Sequence, residues 1–228
     1  MSVRTDRAGS RPAHHLTDEL LVDYAAGALG EAESLVIATH LALCPACRTA
    51  VAALEDVGGA LLEGLAPAEL ATGSLDTVLA RIGGEAPATP RVERKPPSGD
   101  RILVPEPLRG YLQASLEELP WKGLLPGLGM FEIATAGKTR KTRLLRVKAG
   151  TPMPEHTHRG SELTLVLAGG YSDERGHFVR GDIDITDDSV RHQPVADSDG
   201  DCFCLTTTEA PLKLTGRIGR LLNPFVRF

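Results

Sequence analysis

The sequence predicts an α+β chain in which four short helices precede a β-barrel or sandwich. Three observations carry this expectation. Apolar residues recur at helical spacing between Leu20 and Ile82. The stretch 83–99 then holds Gly83-Gly84, Pro87, Pro90, Pro96-Pro97 and Gly99 among charges, with almost no large apolar side chains. Beyond it, short runs of strand character alternate with Gly, Pro and Asp clusters. The predicted units are a helical domain at 1–85, a linker at 86–100 and a β domain at 101–228.

Each element has a local reason. Residues 1–13 are polar and basic without periodicity and read as a frayed tail. A first helix begins at Thr17 or Asp18, either of which can cap it; it carries Leu20, Leu21, Tyr24 and Ala28, and Gly30 ends it. A second helix runs from Glu31 to Leu43, with Leu35, Ala38, Leu41 and Ala42 inward. Pro45 lacks an N–H and cannot sit inside it, yet suits the first turn of a new helix, so the break falls at Cys44. The third helix carries Val51, Leu54, Val57, Leu61 and Leu62, with Gly58-Gly59 as a weak point. Ser74 can cap a fourth through Leu75, Val78, Leu79 and Ile82. After the linker, Leu108 to Leu119 is expected as a short helix. Strands are expected at 128–134, 142–148, 162–168, 177–179, 182–186, 202–208 and 212–215. No repeat or heptad run stands out.

The bulk properties exclude some function classes. An apolar fraction of 42% in 228 residues suits a soluble globular chain. Thirty acidic against 25 basic residues give a net charge of -5, which argues against direct nucleic-acid binding, because phosphate neutralisation needs a basic face. No stretch reaches the roughly 18 apolar residues of a membrane span, and no apolar run follows the N-terminal arginines as in a signal peptide. The expected location is the cytoplasm. There, cysteine pairs such as Cys44/Cys47 and Cys202/Cys204 are more often metal or redox groups than disulfides.

Two clusters carry chemistry. His40 and Cys44 lie four residues apart, on one face of a helix, and Cys44-Pro-Ala-Cys47 adds a second thiol. Three donors converge and zinc takes four. The fourth is sought at His14-His15; His15, immediately before the first helix, is the choice and His14 the reserve. A closed site of His15, His40, Cys44 and Cys47 would supply folding free energy to a small helical domain. A thioredoxin-like redox pair is disfavoured, since no βαβ pattern surrounds the cysteines. In the second cluster, His156 and His158 alternate along a strand and face one side, and Glu162 follows a tight Arg159-Gly160 turn. His192 is the histidine placed to return from a later strand as fourth ligand. Three imidazoles and a carboxylate suit Zn, Fe, Mn or Ni without singling one out. A third feature, Cys202 and Cys204, faces one side of a strand; the pair either fills a barrel face or responds to oxidants. Extended geometry would strain a disulfide between them.

These residues carry a resemblance. Gly150, His156, His158, Glu162 and Gly169 have the spacing of the first cupin motif. Gly176, Gly181 and His192 resemble the second, although Val179 stands where a proline is usual. The upstream histidine with His40, Cys44 and Cys47 resembles the zinc-binding anti-sigma domain. The runs from His14 to Leu21, Tyr24 to Leu29 and Ser34 to Cys47 resemble its ChrR type in particular, as does the segment Asp201 to Cys204, and ChrR-type proteins share the departure at Val179. The resemblance implies a four-helix zinc-binding anti-sigma domain joined to a cupin, a small jelly roll. It implies zinc in the first and a second divalent metal, with zinc the expectation, in the other. It implies an ECF-type sigma factor as partner, the fourth helix packing on it, and release under singlet-oxygen or organic-peroxide stress. No enzyme activity is implied. The competing reading is a cupin dioxygenase or isomerase with a helical oligomerisation arm. A third keeps the partner but moves the trigger to Cys44/Cys47; the want of a nearby resolving thiol disfavours it.

Overall fold

A computed structural model describes residues 11–83, 104–112, 114–137 and 139–216. Its helices are α1 (Asp18–Ala25), α2 (Glu31–Leu43), α3 (Pro45–Glu63), α4 (Ser74–Gly83) and the single turn α5 (Glu106–Arg109). Thr17 caps α1 by accepting from the Leu20 N–H. The helix stops at Ala25 and not at Gly30, because Gly27 takes a left-handed φ of 67° and reverses the chain first. Gly30 instead opens α2, and Pro45 opens α3 after an extended Cys44, as its chemistry requires. Gly58-Gly59 does not interrupt α3. The expected helix over Leu108 to Leu119 is two pieces, α5 and a 3₁₀ turn at Leu116–Glu118. The predicted linker lies outside the described residues.

The strands are β1 (Lys122–Leu125), β2 (Leu128–Ile133), β3 (Lys141–Val147), β4 (His156–Thr157), β5 (Glu162–Ala168), β6 (Gly170–Asp173), β7 (Gly176–Val179), β8 (Ile183–Thr186), β9 (Arg191–His192), β10 (Val195–Ala196), β11 (Cys202–Thr208) and β12 (Lys213–Leu214). A six-stranded antiparallel sheet has the order β1-β2-β3-β11-β5-β8. Two three-stranded sheets, β10-β6-β7 and β12-β4-β9, complete the barrel. β5 and β11 have the predicted bounds. Strands β1, β6 and β10 were not among the sequence expectations, since two- to four-residue segments show too little alternation to read, whereas β4 and β9 hold His156 and His192, which were expected on strands.

The two parts share one core. Every residue of β11 is buried. Phe203 and Leu205 face the helices with Leu163, Leu165, Leu144 and Val36, while Cys202 and Cys204 turn into the barrel beside Val147 and Val166. α2 is therefore covered on two sides. Leu35 and Leu41 of the expected inward stripe are buried, but Val36, Ile37, Thr39 and His40 are buried completely, and Ala42 is exposed. The Tyr111 hydroxyl donates to Glu31 at 2.6 Å and Arg140 pairs with Glu33 at 3.1 Å, so polar contacts frame this junction. Replacing Ile37 by Ala is expected to cost about 2–5 kcal/mol and to weaken helices and barrel together. Denaturant unfolding followed by helical ellipticity and by Trp121 fluorescence tests this: the two probes should shift in parallel.

Candidate metal centres

The helix break at Pro45 builds the first centre. It leaves Cys44 extended at the N-terminus of α3, where the Cys47 N–H points at its sulfur at 3.5 Å. His40 sits one turn earlier on α2, and His15 arrives from the segment before α1. The ligand atoms of His15, His40, Cys44 and Cys47 all lie within 4.8 Å of one another. His15 Nδ1 is 3.3 Å from Cys44 Sγ and 3.6 Å from Cys47 Sγ. Donors about 2.0–2.3 Å from a tetrahedral zinc stand about this far apart.

Burial lowers the pKa of His40 to about 4, so the ring is neutral at physiological pH. Its Nδ1–H donates to the Gly181 carbonyl at 2.8 Å, while the buried Nε2 finds no protein partner. An orphaned lone pair aimed at two thiols is the condition a metal ion relieves. Burial, with Cys44 adding to it, pushes the Cys47 thiol up to about 11. The donor set fits zinc, and the four side chains that converge are the four expected. His14, the reserve, is used otherwise: its ring stacks on Phe178 at 4.2 Å.

The second centre lies inside the barrel. Pairing of β4 with β9 sets His156 opposite His192, and alternation carries His158 to the same side. His192 Nε2 is 3.0 Å from His156 Nε2 and 3.2 Å from His158 Nε2. Three lone pairs this close fit the edges of a coordination polyhedron with roughly 2.1 Å bonds. All three rings are buried, and burial first, then the neighbouring imidazoles, lowers His156 to about 4. His156 Nδ1–H donates to the Pro154 carbonyl at 2.7 Å, and His192 Nδ1–H to Asp173 at 2.8 Å, which turns both Nε2 atoms inward.

Glu162 is placed differently. Its Oε2 stands 3.3 Å from His158 Nδ1 and its Oε1 accepts from Thr164, and it does not converge with the three imidazole nitrogens. Asp173, Asp184 and His192 also cluster, but the Arg175 guanidinium fills that place, bonding Asp184 at 2.6 and 2.7 Å and Asp173 at 2.6 Å. Asp173 and Arg175 were missed by sequence reasoning. Carboxylates beside a metal histidine are the expected signal, but nothing local tied Asp173 to a residue 19 positions away.

A cavity of about 60 Å³ adjoins the histidines, with Leu145, Met153, Tyr171 and Ala196 among its lining. Cys202 and Cys204 face it as free thiols, Sγ to Sγ 3.6 Å. The hydrogen bond with Cys204, and then burial, raises the Cys202 pKa well above the usual range, so Cys202 is held as a neutral thiol. His177 is half exposed and pairs with Asp197.

A helical module that gathers two histidines and two cysteines, packed on a barrel that gathers three more histidines, defines the class: a cupin-like barrel with an N-terminal helical module. Comparison with known proteins narrows it. The chain belongs to the ChrR family of anti-sigma factors. Over 214 residues it is 42% identical to the anti-sigma-E factor ChrR of Cereibacter sphaeroides, spanning 94% of this chain and 98% of that one. The ChrR cupin-like domain family matches residues 111–211, and a zinc-finger family matches 16–48, a span holding His40, Cys44 and Cys47. The crystal structure of Rhodobacter sphaeroides SigE in complex with the anti-sigma ChrR superposes with a TM-score of 0.73 at 42% identity, over 86% of this chain and 99% of the matched one.

Substituting His15 by Ala is expected to remove the zinc of the helical module, whereas His14→Ala should keep it. Metal analysis of the purified full chains, which separates the two adjacent imidazoles, checks this.

Proposed function

We propose that the chain sequesters an ECF-type sigma factor through its helices and that the barrel governs release under photooxidative (singlet-oxygen) or organic-peroxide stress. The observation that carries the first part is an unpartnered apolar surface. Val57, Leu61, Leu62 and Leu65 at the end of α3 are each more than half exposed, as are Leu75, Val78, Leu79 and Ile82 on α4. The α4 residues recur at helical spacing, and none of them is buried among the described residues. An apolar stripe of this size on a small protein marks a partner surface. The relative of like architecture is described in complex with SigE, which fits a sigma factor as the occupant.

The chain is a regulator and not an enzyme, as is its near-full-length relative. Among the described residues no single helix is long and apolar enough to cross a membrane. We place the anti-sigma action in the cytoplasm, where its partner works.

Zinc held by His15, His40, Cys44 and Cys47 would lock the approach of α1 to the α2–α3 junction and so shape the base of the binding surface. In the barrel, His156, His158 and His192 would hold a second divalent ion, for which we favour zinc, with Glu162 as a further ligand on rotation or as a support to His158. Such an ion would supply Lewis acidity to a small molecule entering the cavity. The residues around it admit only a small guest and place two free thiols beside it.

Replacing Leu75, Val78 and Ile82 together by Asp is expected to weaken sigma binding at least tenfold, about 1.4 kcal/mol or more, without changing the zinc content. Copurification and calorimetric titration read this. His156→Ala with His158→Ala should leave sigma binding intact and abolish induction by singlet oxygen in a reporter strain; retained induction would sink the assigned role of the barrel.

A further inference from the structure

The zinc site is not enclosed by the helical module alone. The turn between β7 and β8 reaches it. Gly181 adopts φ +91°, and a Cβ there would lie 2.8 Å from Pro12 Cγ and 3.4 Å from Leu43 Cβ. Only a glycine lets the turn come this near, and its carbonyl takes the His40 Nδ1–H. Next to it, Asp182 Oδ1 accepts from the Ala13 and His14 N–H groups at 2.6 and 3.0 Å, while Oδ2 accepts from Val179 N–H at 2.8 Å. The Ile183 N–H returns a bond to the His14 carbonyl at 3.3 Å. The residue that follows this clamped strap is His15. Two of the four zinc ligands thus take their positions from the barrel.

The clamp continues inward. His14 stacks on Phe178, and Phe178 on Tyr171 with centroids 5.0 Å apart. The Tyr171 hydroxyl donates to Asp184 at 2.9 Å, Arg175 ties Asp184 to Asp173, and Asp173 accepts from His192. All the barrel side chains in this chain belong to β6, β8, β9 or β7 and the turn before it.

We propose that the barrel forms part of the zinc site: Gly181 and Asp182 are positioning residues for His40 and His15, and the packed chain from His192 to His14 makes the two metal positions answer to each other. Any such coupling is reciprocal, because the binding free energies form a closed cycle. It would give the barrel a direct route to the helical module, independent of the linker. The inference rests on the reading of His15, His40, Cys44 and Cys47 as a metal site.

The test uses the full chain with Co²⁺ in place of zinc. The thiolate-to-cobalt absorption belongs to the helical site, since only that site has two cysteines among its donors. Its decay after addition of excess chelator gives the release rate. Asp182→Ala is expected to speed release about tenfold, the usual scale for loss of a group that orients a ligand. Asp182→Asn, which keeps one oxygen for the strap, should restore most of the slow rate. Asp173→Asn should speed release by about fivefold, the lower range for coupled sites. Asp201→Asn, a barrel carboxylate bonded to Arg146 and away from the strap, should leave it unchanged.

Trp121, packed edge-on against Phe203 in the sheet, reports by its fluorescence that the barrel is still folded. If Asp182→Ala disturbs that signal, Phe178→Leu, which removes only the ring stack, decides in its place with the same expected acceleration. Wild-type release from a folded Asp182→Ala or Phe178→Leu chain overturns the positioning role, and wild-type release from Asp173→Asn overturns the link to His192. A wild-type chain that takes up no thiolate-bound cobalt overturns the metal reading itself, a result distinct from both.

Discussion

Burial of α2 on two sides is the constraint from which the rest of the molecule follows. Val36, Ile37 and Thr39 are inaccessible to solvent, and the same cluster contains Leu21 and Val51 from the helices and Leu163, Leu165 and Leu205 from the six-stranded sheet. A helix with apolar residues on two sides must be covered on both. One cover is α3 with α5, and the other is the outer face of the barrel at β5 and β11. This fixes where His40 emerges at the end of α2, and so where the cluster of His15, His40, Cys44 and Cys47 forms: at the seam between the two parts.

The inner face of that sheet does different work. Alternation along β11 and β5 sends Phe203 and Leu205 outward to the helices, and Cys202 and Cys204 inward to the histidine cavity. The two centres therefore sit on opposite sides of one sheet. The histidine cluster is finished by neighbours that fix ring orientation: Pro154 for His156 and Asp173 for His192. The apolar stripe of α4 takes no part in this core, which leaves it free for a partner.

Much of the fold was legible because local chemistry was decisive. Gly30 and Pro45 bracket α2, and its bounds follow residue by residue. Long alternating runs gave β5 and β11. The reading was less good where a local signal had competitors. Gly27 and Gly30 both offered an end to α1, and the turn formed at the first. Residues 108–119 had helical composition, but Gly110 and the extended backbone at Ser115 broke the run into two short turns. The brief strands β9 and β10 exist because partners across the barrel hold them, not because two residues have a preference of their own.

By itself the sequence determined the donors whose geometry is local. His40, Cys44 and Cys47 lie within eight residues on a helix and its break, and His156 and His158 on alternate positions of a strand. Helix and strand periods fix such directions without help from elsewhere. Only the tertiary structure decided the remainder. It chose His15 over His14 by stacking the latter on Phe178, brought His192 against His156 by strand pairing, and set Glu162 behind His158. It also placed the Gly181 carbonyl on His40 across 141 residues of chain. Contacts at such separation depend on how layers pack, and no periodicity or short motif encodes that.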